Sequence, residues 1–288
     1  IRIYSLYICL QNISMYTEYQ PSHLLVPYID NYWEFKGNPD YGMRIHILPD
    51  GCTDFIFTLG EVANAVEEGS LMMQPYRSYF VGPMTKYSEL VTYTESIHMF
   101  GVRFLPCGLS CFTNLPLHEF VNSRVSTNEM KAVFDDTFIE KLGEQKHVTD
   151  RIRVVEEYLL AYLARHYQPA DSHVAMAVNM INHSKGKRSV RSLMDDVCLC
   201  QRHFERKFKH YTGFTPKEYS RIVKFKNAVE LLRTTTSANL LTTAVDAGYY
   251  DLAHFSKEIK SMSGNTPASF LSLTVPEETT LTYIEPQR

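Results

Sequence analysis

The chain has 288 residues, of which 44% are hydrophobic and 12% aromatic, and a formal net charge of −3. This length and composition exclude a disordered or fibrous chain and allow two domains with sizeable cores. No apolar run approaches the roughly 18 residues that a transmembrane helix needs. The six cysteines form no Cys-x-x-Cys pair, which favours a reduced, cytoplasmic chain over a disulfide-stapled secreted one.

Residues 1–14 begin without a methionine, and Arg2 is their only charged residue. We expect them to be an upstream extension ahead of Met15 or, alternatively, an edge strand. A cleaved signal peptide is a further reading of this segment.

Residues 15 to about 120 are predicted to be rich in strands. They contain short runs of β-branched and aromatic residues that Gly, Pro and Asp separate, and Pro49-Asp50-Gly51 is a strong turn signal between two of these runs. The predicted strands are 32–35, 43–48, 53–59, 79–81, 89–93 and 98–104.

From about Thr127 the pattern becomes helical. Residues 151–167 place apolar side chains on one broad face, which is typical either of ordinary core packing or of a helix at a dimer interface. A short linker at 168–171 precedes a helix at 174–183. The predicted N-terminal domain is therefore 15–168, and the C-terminal domain is 169–275 with a tail at 276–288.

The C-terminal domain contains one short pattern twice. Residues 203–219 are HFERKFKHYTGFTPKEY and residues 254–270 are HFSKEIKSMSGNTPASF, at a constant offset of 51 residues. Each copy predicts a helix with one apolar face and one mostly basic face, then a glycine that ends the helix, then a Thr-Pro pair that begins another. The repeat indicates one small structural unit used twice.

A shorter helix and a turn precede each basic helix. In the first unit these are 190–197 and Cys198-Leu199-Cys200; in the second they are 241–247 and Gly248-Tyr249-Tyr250, with Asp251 as the N-cap. A short helix, a tight turn and a second helix with a basic outer face form a helix-turn-helix, whose second helix enters the major groove of DNA. A long amphipathic helix at 216–233 would join the two units.

The charge distribution supports this interpretation. Residues 184–275 contain 15 Lys and Arg against 8 Asp and Glu, a net charge of +7, whereas residues 1–183 carry −8. A basic module joined to an acidic remainder is typical of a nucleic-acid-binding domain fused to a domain of another kind.

Over residues 172–272 these motifs together resemble the DNA-binding domain of the AraC family of bacterial transcription regulators. More loosely, Trp33, Ile47 to Gly51, Val81-Gly82 and Gly101 to Pro106 resemble the sensing domains that precede it in one subgroup. The resemblance implies an α+β chain: an N-terminal strand-rich domain, barrel-like or sandwich-like, with trailing helices, and an all-α C-terminal domain of two helix-turn-helix units joined by a long linker helix.

Two features depart from the family pattern. The first unit has Met194, Cys198 and Cys200 where a small alanine, a turn glycine and a Ser or Thr N-cap are usual, so we expect it to be less rigid or re-angled. At the front of the second basic helix, Leu252 and Ala253 cannot hydrogen-bond a base edge but could contact thymine methyl groups. We therefore expect the first helix to carry most of the hydrogen-bonded base readout.

The resemblance implies the following DNA-binding residues. The base-facing candidates are Arg202, Glu205 and Arg206 in the first unit and Leu252, Ala253, His254 and Lys257 in the second, although His254 can equally be a packing residue. The phosphate-facing candidates are Lys209, Lys217, Arg221 and Lys260.

The implied function is sequence-specific transcription regulation, responsive to an effector through the N-terminal domain. In the alternative, that domain serves only dimerisation or contact with another protein. The expected partners are double-stranded DNA, a small-molecule effector, a second copy of the chain and, by family analogy, RNA polymerase.

Other chemistry receives little support from the sequence. His46 and His98 fall on predicted strands without a companion ligand set, so no metal site and no cofactor are predicted. The cysteines are predicted to act as small hydrophobic residues rather than redox switches. No catalytic motif is present, and we do not expect an enzyme.

Overall fold

A computed structural model describes residues 4–5, 15–66, 69–130, 133–134, 136–166, 168–234, 240–272 and 282–284. The strands are β1 (Tyr4–Ser5), β2 (Tyr16–Tyr19), β3 (Ile29–Gly37), β4 (Arg44–Ile47), β5 (Thr53–Thr58), β6 (Asn64–Ala65), β7 (Ser78–Val81), β8 (Ser88–Val91), β9 (Ile97–Phe104), β10 (Arg124–Ser126) and β11 (Thr282–Ile284). The α-helices are α1 (Asp136–Gly143), α2 (Val148–His166), α3 (Ser172–His183), α4 (Val190–Val197), α5 (Gln201–Thr212), α6 (Pro216–Thr234), α7 (Leu240–Asp246), α8 (Leu252–Ser263) and α9 (Pro267–Ser272). Short 3-10 helices cover Gly108–Cys111, Leu117–Phe120 and Thr127–Glu129.

The N-terminal domain is built on two antiparallel sheets. The larger has the strand order β1-β2-β3-β9-β5-β7-β10 and the smaller has the order β11-β4-β8-β6. The central strands are apolar on both faces because both faces are covered: Phe55 and Phe57 of β5 point to a core shared with α1 and α2, and Ile56 between them points to the small sheet. The sandwich-like, strand-rich domain predicted from the sequence is confirmed.

All six predicted strands occur with small changes at their ends. The Pro49-Asp50-Gly51 turn connects β4 in the small sheet to β5 in the large one, and does not close a hairpin. The Asp50 Oδ1 atom accepts a hydrogen bond of 2.9 Å from the Cys52 backbone N–H. Gly51 has a φ of +88°, a left-handed conformation that glycine adopts without steric penalty.

Helix α2 packs its apolar stripe against the large sheet. Val155 and Leu159 are fully buried in the core that also holds Phe134 and Phe138, and the Tyr158 hydroxyl donates to the Val133 carbonyl over 2.7 Å. Packing in the core of the N-terminal domain therefore accounts for this stripe.

The C-terminal helices form the predicted all-α arrangement. Helix α4 has the predicted bounds, and α3, α6 and α7 differ from prediction by no more than two residues at either end. In the tail, residues 282–284 form β11, which pairs antiparallel with β4, so the chain returns to the N-terminal domain. No strand was predicted in the tail from the sequence.

Of the first 14 residues, Tyr4 and Ser5 form an edge strand paired with β2, as one of the two expectations had it. The rest of that segment lies outside the described residues. Among the helices of the described part of the chain, none combines the length and apolar character required to cross a membrane.

Candidate nucleic-acid interface

The first helix-turn-helix unit consists of α4, a tight turn and α5. The Ser189 Oγ atom caps α4 by accepting from the Ser192 backbone N–H at 3.2 Å. Cys198 ends α4 with a φ of 54°, in the left-handed region that favours glycine, and Cys200 occupies the N-cap of α5 without a side-chain capping bond. Two of the three departures noted in the sequence, Cys198 and Cys200, thus fall at the two ends of the turn between α4 and α5.

Both thiols of this turn are exposed, whereas Cys52, Cys107 and Cys111 are buried. The prediction that the cysteines act as small hydrophobic residues is therefore wrong for Cys198 and Cys200. The apolar contact at this turn comes from Leu199, which packs on the core of the C-terminal domain, so its two neighbours face outward.

The second unit, α7 and α8, has the expected turn chemistry. Gly248 takes a φ of +87° at the end of α7. The Asp251 carboxylate caps α8 by accepting a 2.7 Å hydrogen bond from the His254 backbone N–H. The N-cap residues of the two units therefore differ: Asp251 caps α8 with its side chain, whereas Cys200 leaves α5 without a side-chain cap.

The outer face of α5 presents the predicted charged residues. Arg202, Arg206 and Lys209 are exposed, and Glu205 is half-buried and accepts a 2.9 Å hydrogen bond from the Gln201 side chain. On the opposite face Phe204 and Phe208 are fully buried. The amphipathic division predicted for this helix is confirmed.

The outer face of α8 is less polar near its start. Leu252, Ala253, His254, Lys257 and Lys260 are all exposed. The His254 ring also lies 5.4 Å from the Tyr249 ring in an edge-on contact, so this exposed histidine has a packing partner as well.

The two phosphate-facing candidates on the linker helix α6 differ in environment. Lys217 is exposed in the first turn. Arg221 forms a two-point ion pair with Glu258 of α8, with Nε–Oε2 and Nη2–Oε1 distances of 3.0 and 2.9 Å. Its charge is thus already shared with a carboxylate.

Helix α6 holds both units in place. It begins with a capping box, in which the Thr215 N–H donates to the Glu218 carboxylate at 2.7 Å and the Glu218 N–H donates to the Thr215 hydroxyl at 3.1 Å. The Tyr219 ring packs on Phe208 of α5, and Lys224 Nζ donates to the Gly248 carbonyl at 3.2 Å. Burial lowers the pKa of Lys224, an effect that nearby Glu258 opposes.

Residues 193–272, which span both units, match a protein family described as a helix-turn-helix domain. The C-terminal domain is an AraC-type helix-turn-helix domain. In the chain this domain follows strands β1 to β10 and the helices α1 and α2.

The N-terminal domain and the chain as a whole are also similar to known proteins. Residues 17–126 match a family described as a domain of unknown function (DUF6597). ToxT from Vibrio cholerae is 9% identical with a TM-score of 0.50, over 84% of this chain and 98% of that one. A ToxT structure described as bound to unsaturated fatty acid is 10% identical with a TM-score of 0.46, over 83% and 94%. A probable AraC family transcriptional regulator from Rhodopseudomonas palustris is 20% identical with a TM-score of 0.33, over 36% and 98%.

At these identities the similarity to ToxT shows a shared two-domain fold and nothing finer. The search of curated protein sequences gives no match.

The AraC-type domain and the N-terminal domain share an apolar contact. Leu48 and Cys107 of the N-terminal domain are buried in the same core as Tyr219. A Cβ atom on Gly51 would lie 2.7 Å from the Tyr219 ring, so only glycine fits this close approach. Lys226 Nζ of α6 donates to the Asp50 carbonyl over 3.3 Å. The loop 48–51 therefore rests directly on the linker helix.

A cavity of about 60 Å³ lies between the two sheets of the N-terminal domain. Most of its lining is apolar; the polar side chains in it are Tyr16, Asp54, Arg103 and Arg124. Arg103 Nε donates to both Asp54 oxygens, at 3.2 and 3.3 Å, and Trp33 Nε1 donates to Asp54 Oδ1 at 2.7 Å.

Neither Asp54 nor Arg103 was predicted from the sequence to line a cavity. The available signal was a charged residue inside an otherwise apolar strand, which describes Asp54 in β5 and Arg103 in β9. A charge at such a position requires a buried partner, and each supplies one to the other.

The remaining candidate sites hold structural pairs. His98 Nε2 lies 3.0 Å from Glu34 Oε1, which also accepts a 2.9 Å hydrogen bond from Arg151 Nη1. In the described ranges no three His, Cys, Asp or Glu side chains are grouped as a metal site would need.

Proposed function

We propose that this protein regulates transcription by reading DNA sequence with α5 and α8, and that a small molecule bound by its N-terminal domain changes this reading. The observation that carries the proposal is the pair of exposed recognition helices, both fixed to the single helix α6. Two such helices fit two successive major-groove segments, roughly 34 Å apart along the DNA.

The side chains of α5 suit hydrogen-bonded base readout. Arg202 and Arg206 are exposed and can each pair with a guanine through two hydrogen bonds, and Glu205 can accept from a cytosine amino group. Leu252 and Ala253 at the front of α8 offer only apolar contact to thymine methyl groups. The first half of the DNA site should therefore be the more strictly specified one.

Exposed lysines would set affinity rather than sequence. Lys209, Lys217 and Lys260 are exposed and would contact phosphates, whereas Lys257, also exposed, belongs to the base-facing group on α8. Arg221 is the exception among the phosphate candidates, because Glu258 already holds its guanidinium.

Effector response is supported by the position of the cavity relative to the linker helix. Arg103, which lines the cavity, also lies 3.6 Å from the Asp50 carboxylate, and the backbone carbonyl of Asp50 accepts from Lys226 of α6. A ligand that shifts Arg103 would thus act on the loop 48–51, and this loop contacts the helix that holds both recognition helices.

The first test is a selection of bound DNA from random fragments by the full-length protein, followed by a salt titration on the enriched site. We expect a motif of two unequal elements about one helical turn apart. The matched control is Arg206→Ala, which should relax the stricter element while leaving the other unchanged. Binding without any enriched sequence would contradict specific readout.

The effector part has a separate test. The affinity of the full-length protein for the selected site should change when a ligand that raises its unfolding temperature is added. If the N-terminal domain served only dimerisation or contact with another protein, such a ligand would leave DNA affinity unchanged and the affinity would instead follow protein concentration.

A further inference from the structure

We infer that the cavity between the two sheets binds a small, mainly apolar molecule that carries one uncharged hydrogen-bond donor, such as a phenolic hydroxyl. This names the ligand class for the effector response and in that sense rests on the proposed function. The apolar body would occupy the space between the sheets, and the donor would face Asp54.

The size and lining of the cavity define the apolar part. Its volume of about 60 Å³ is several times the roughly 10–15 Å³ that a single water requires. The apolar walls come from both sheets, with Ile56 and Met99 on one side and Ile45 and Leu90 on the other. Water gains few hydrogen bonds in such a space, so an apolar ring is the better occupant.

The polar end of the cavity suits a ligand that donates a hydrogen bond to Asp54. Asp54 Oδ1 accepts hydrogen bonds from both Trp33 Nε1 and Arg103 Nε. Asp54 Oδ2 accepts from Arg103 Nε as well, at 3.3 Å. A carboxylate offers about four acceptor positions, so Oδ2 can take a further hydrogen bond from a ligand hydroxyl.

The charges around this end disfavour an anionic ligand. Glu18, Asp30, Asp50 and Asp54 all interact electrostatically with the buried guanidinium of Arg103. Burial raises the pKa of Asp54, an effect that Arg103 opposes, and burial likewise raises the pKa of Glu18 to about 7. A ligand carboxylate would add a further negative charge to this group. A cationic ligand would lose its hydration against the apolar walls.

Arg124 is the feature that could favour an anion instead. It lines the cavity from β10, and its Nη2 donates to the Ser88 hydroxyl of the small sheet over 2.6 Å. The probes must therefore include an anion of the same shape as the phenol.

The test uses three probes of matched shape on the full-length protein: p-cresol, which has the donor; p-xylene, which lacks it; and p-toluate, which carries a negative charge. Trp33 is the single tryptophan of the chain and lines the cavity, so its fluorescence reports occupancy directly. We expect a saturable change in emission and a rise in unfolding temperature with p-cresol, smaller effects with p-xylene and none with p-toluate. Stronger effects of p-toluate would overturn the inference.

Two variants localise the binding. Leu90→Phe fills the cavity and should abolish the responses to p-cresol, whereas Val26→Phe adds the same ring at a site that is 52% exposed and should retain them. Responses that persist in Leu90→Phe would place the site elsewhere. Should Leu90→Phe fail to fold, the saturable response of Trp33 in the unaltered protein still decides between binding in the cavity and no binding.

The DNA readout separates this inference from the proposed function. Binding of p-cresol that changes Trp33 emission but leaves DNA affinity unchanged would support the ligand class and contradict effector response to such a ligand. Absence of any p-cresol binding would overturn the inference, while leaving sequence-specific DNA binding intact.

Discussion

Arg221 and Glu258 join the linker helix to the second recognition helix. Arg221 of α6 donates two hydrogen bonds to the carboxylate of Glu258 of α8. The Nε–Oε2 distance is 3.0 Å and the Nη2–Oε1 distance is 2.9 Å. A two-point pair of this kind fixes orientation as well as distance. Arg221 therefore positions α8 on α6.

We predict that the effects of Arg221→Ala and Glu258→Ala on the free energy of unfolding are not additive. Because 46% of the Arg221 side chain is exposed, the coupling should be that of a surface pair, about 0.2–1 kcal/mol. A double-mutant cycle in urea measures it, and Lys217→Ala combined with Glu258→Ala is the control pair that should add simply. Additive effects for Arg221 and Glu258 would contradict the pairing.

The same two variants distinguish positioning from phosphate contact in DNA binding. If Arg221 positions α8, both Arg221→Ala and Glu258→Ala should weaken binding to the selected site. If Arg221 mainly contacts phosphate, Glu258→Ala should strengthen binding because it removes a competing negative charge. We expect the first result.

We predict that Arg206→Ala weakens binding to the cognate site by roughly 1–3 kcal/mol and relaxes specificity at one base pair. The reason is that Arg206 is exposed on the outer face of α5, where it can pair with a guanine. Competition between the cognate site and single-base variants measures this. An equal loss of affinity on every sequence would make Arg206 a phosphate contact.

Lys209→Ala should behave differently. Lys209 is exposed one helical turn further along α5, and we expect its loss to weaken all sequences alike and to reduce the slope of log affinity against log salt by about 0.9. Salt titrations of the variant and of the unaltered protein give this slope. An unchanged slope would show that Lys209 neutralises no phosphate.

The N-terminus of α5 gives a prediction about stability. Cys200 occupies the N-cap of α5 without a side-chain capping hydrogen bond, and a serine there could accept from a backbone N–H group of the first turn. Cys200→Ser should therefore raise the free energy of unfolding by about 1 kcal/mol. Cys107→Ser, which introduces a hydroxyl into a buried apolar core, is the contrasting control and should lower stability. A loss of stability in Cys200→Ser would show that a missing side-chain cap at residue 200 does not lower the stability of the protein.

The sequence predicted well those features that short stretches of chain determine. Thr215 with Glu218 and Asp251 with His254 are caps within four residues, and both occur as expected. The spacing of apolar residues likewise predicted which face of α5 is buried. Phe204 and Phe208 are four residues apart and lie on that face.

The features that the sequence did not predict join distant residues. Arg221 and Glu258 are 37 positions apart, and Lys226 meets Asp50 across 176 positions. Such contacts depend on how the domains pack, which local periodicity does not encode. The cavity was missed for the same reason, because its walls come from strands of two different sheets.

The buried carboxyl of Glu18 gives a prediction about pH. Burial raises the pKa of Glu18 to about 7, although Arg103 and a 2.9 Å hydrogen bond from the Tyr16 hydroxyl oppose this rise. In the unfolded chain a glutamate has a pKa of about 4.3. Between these values the folded state holds the proton that the unfolded state has lost, so the stability linked to Glu18 is fully present below about pH 4 and falls as the pH rises through 7.

Glu18→Gln should remove this dependence while keeping an acceptor for Tyr16. We expect the variant to gain stability over the unaltered protein, and this gain to be larger at pH 8 than at pH 5 by up to about 2–3 kcal/mol. Urea unfolding at the two pH values measures the difference, with Glu119→Gln as the control because that carboxylate is exposed. Equal gains at both pH values would mean that the Glu18 carboxyl has the same pKa in the folded and the unfolded chain. Glu18 would then be ionised at neutral pH, and other charges would have to balance the carboxylates near Asp54.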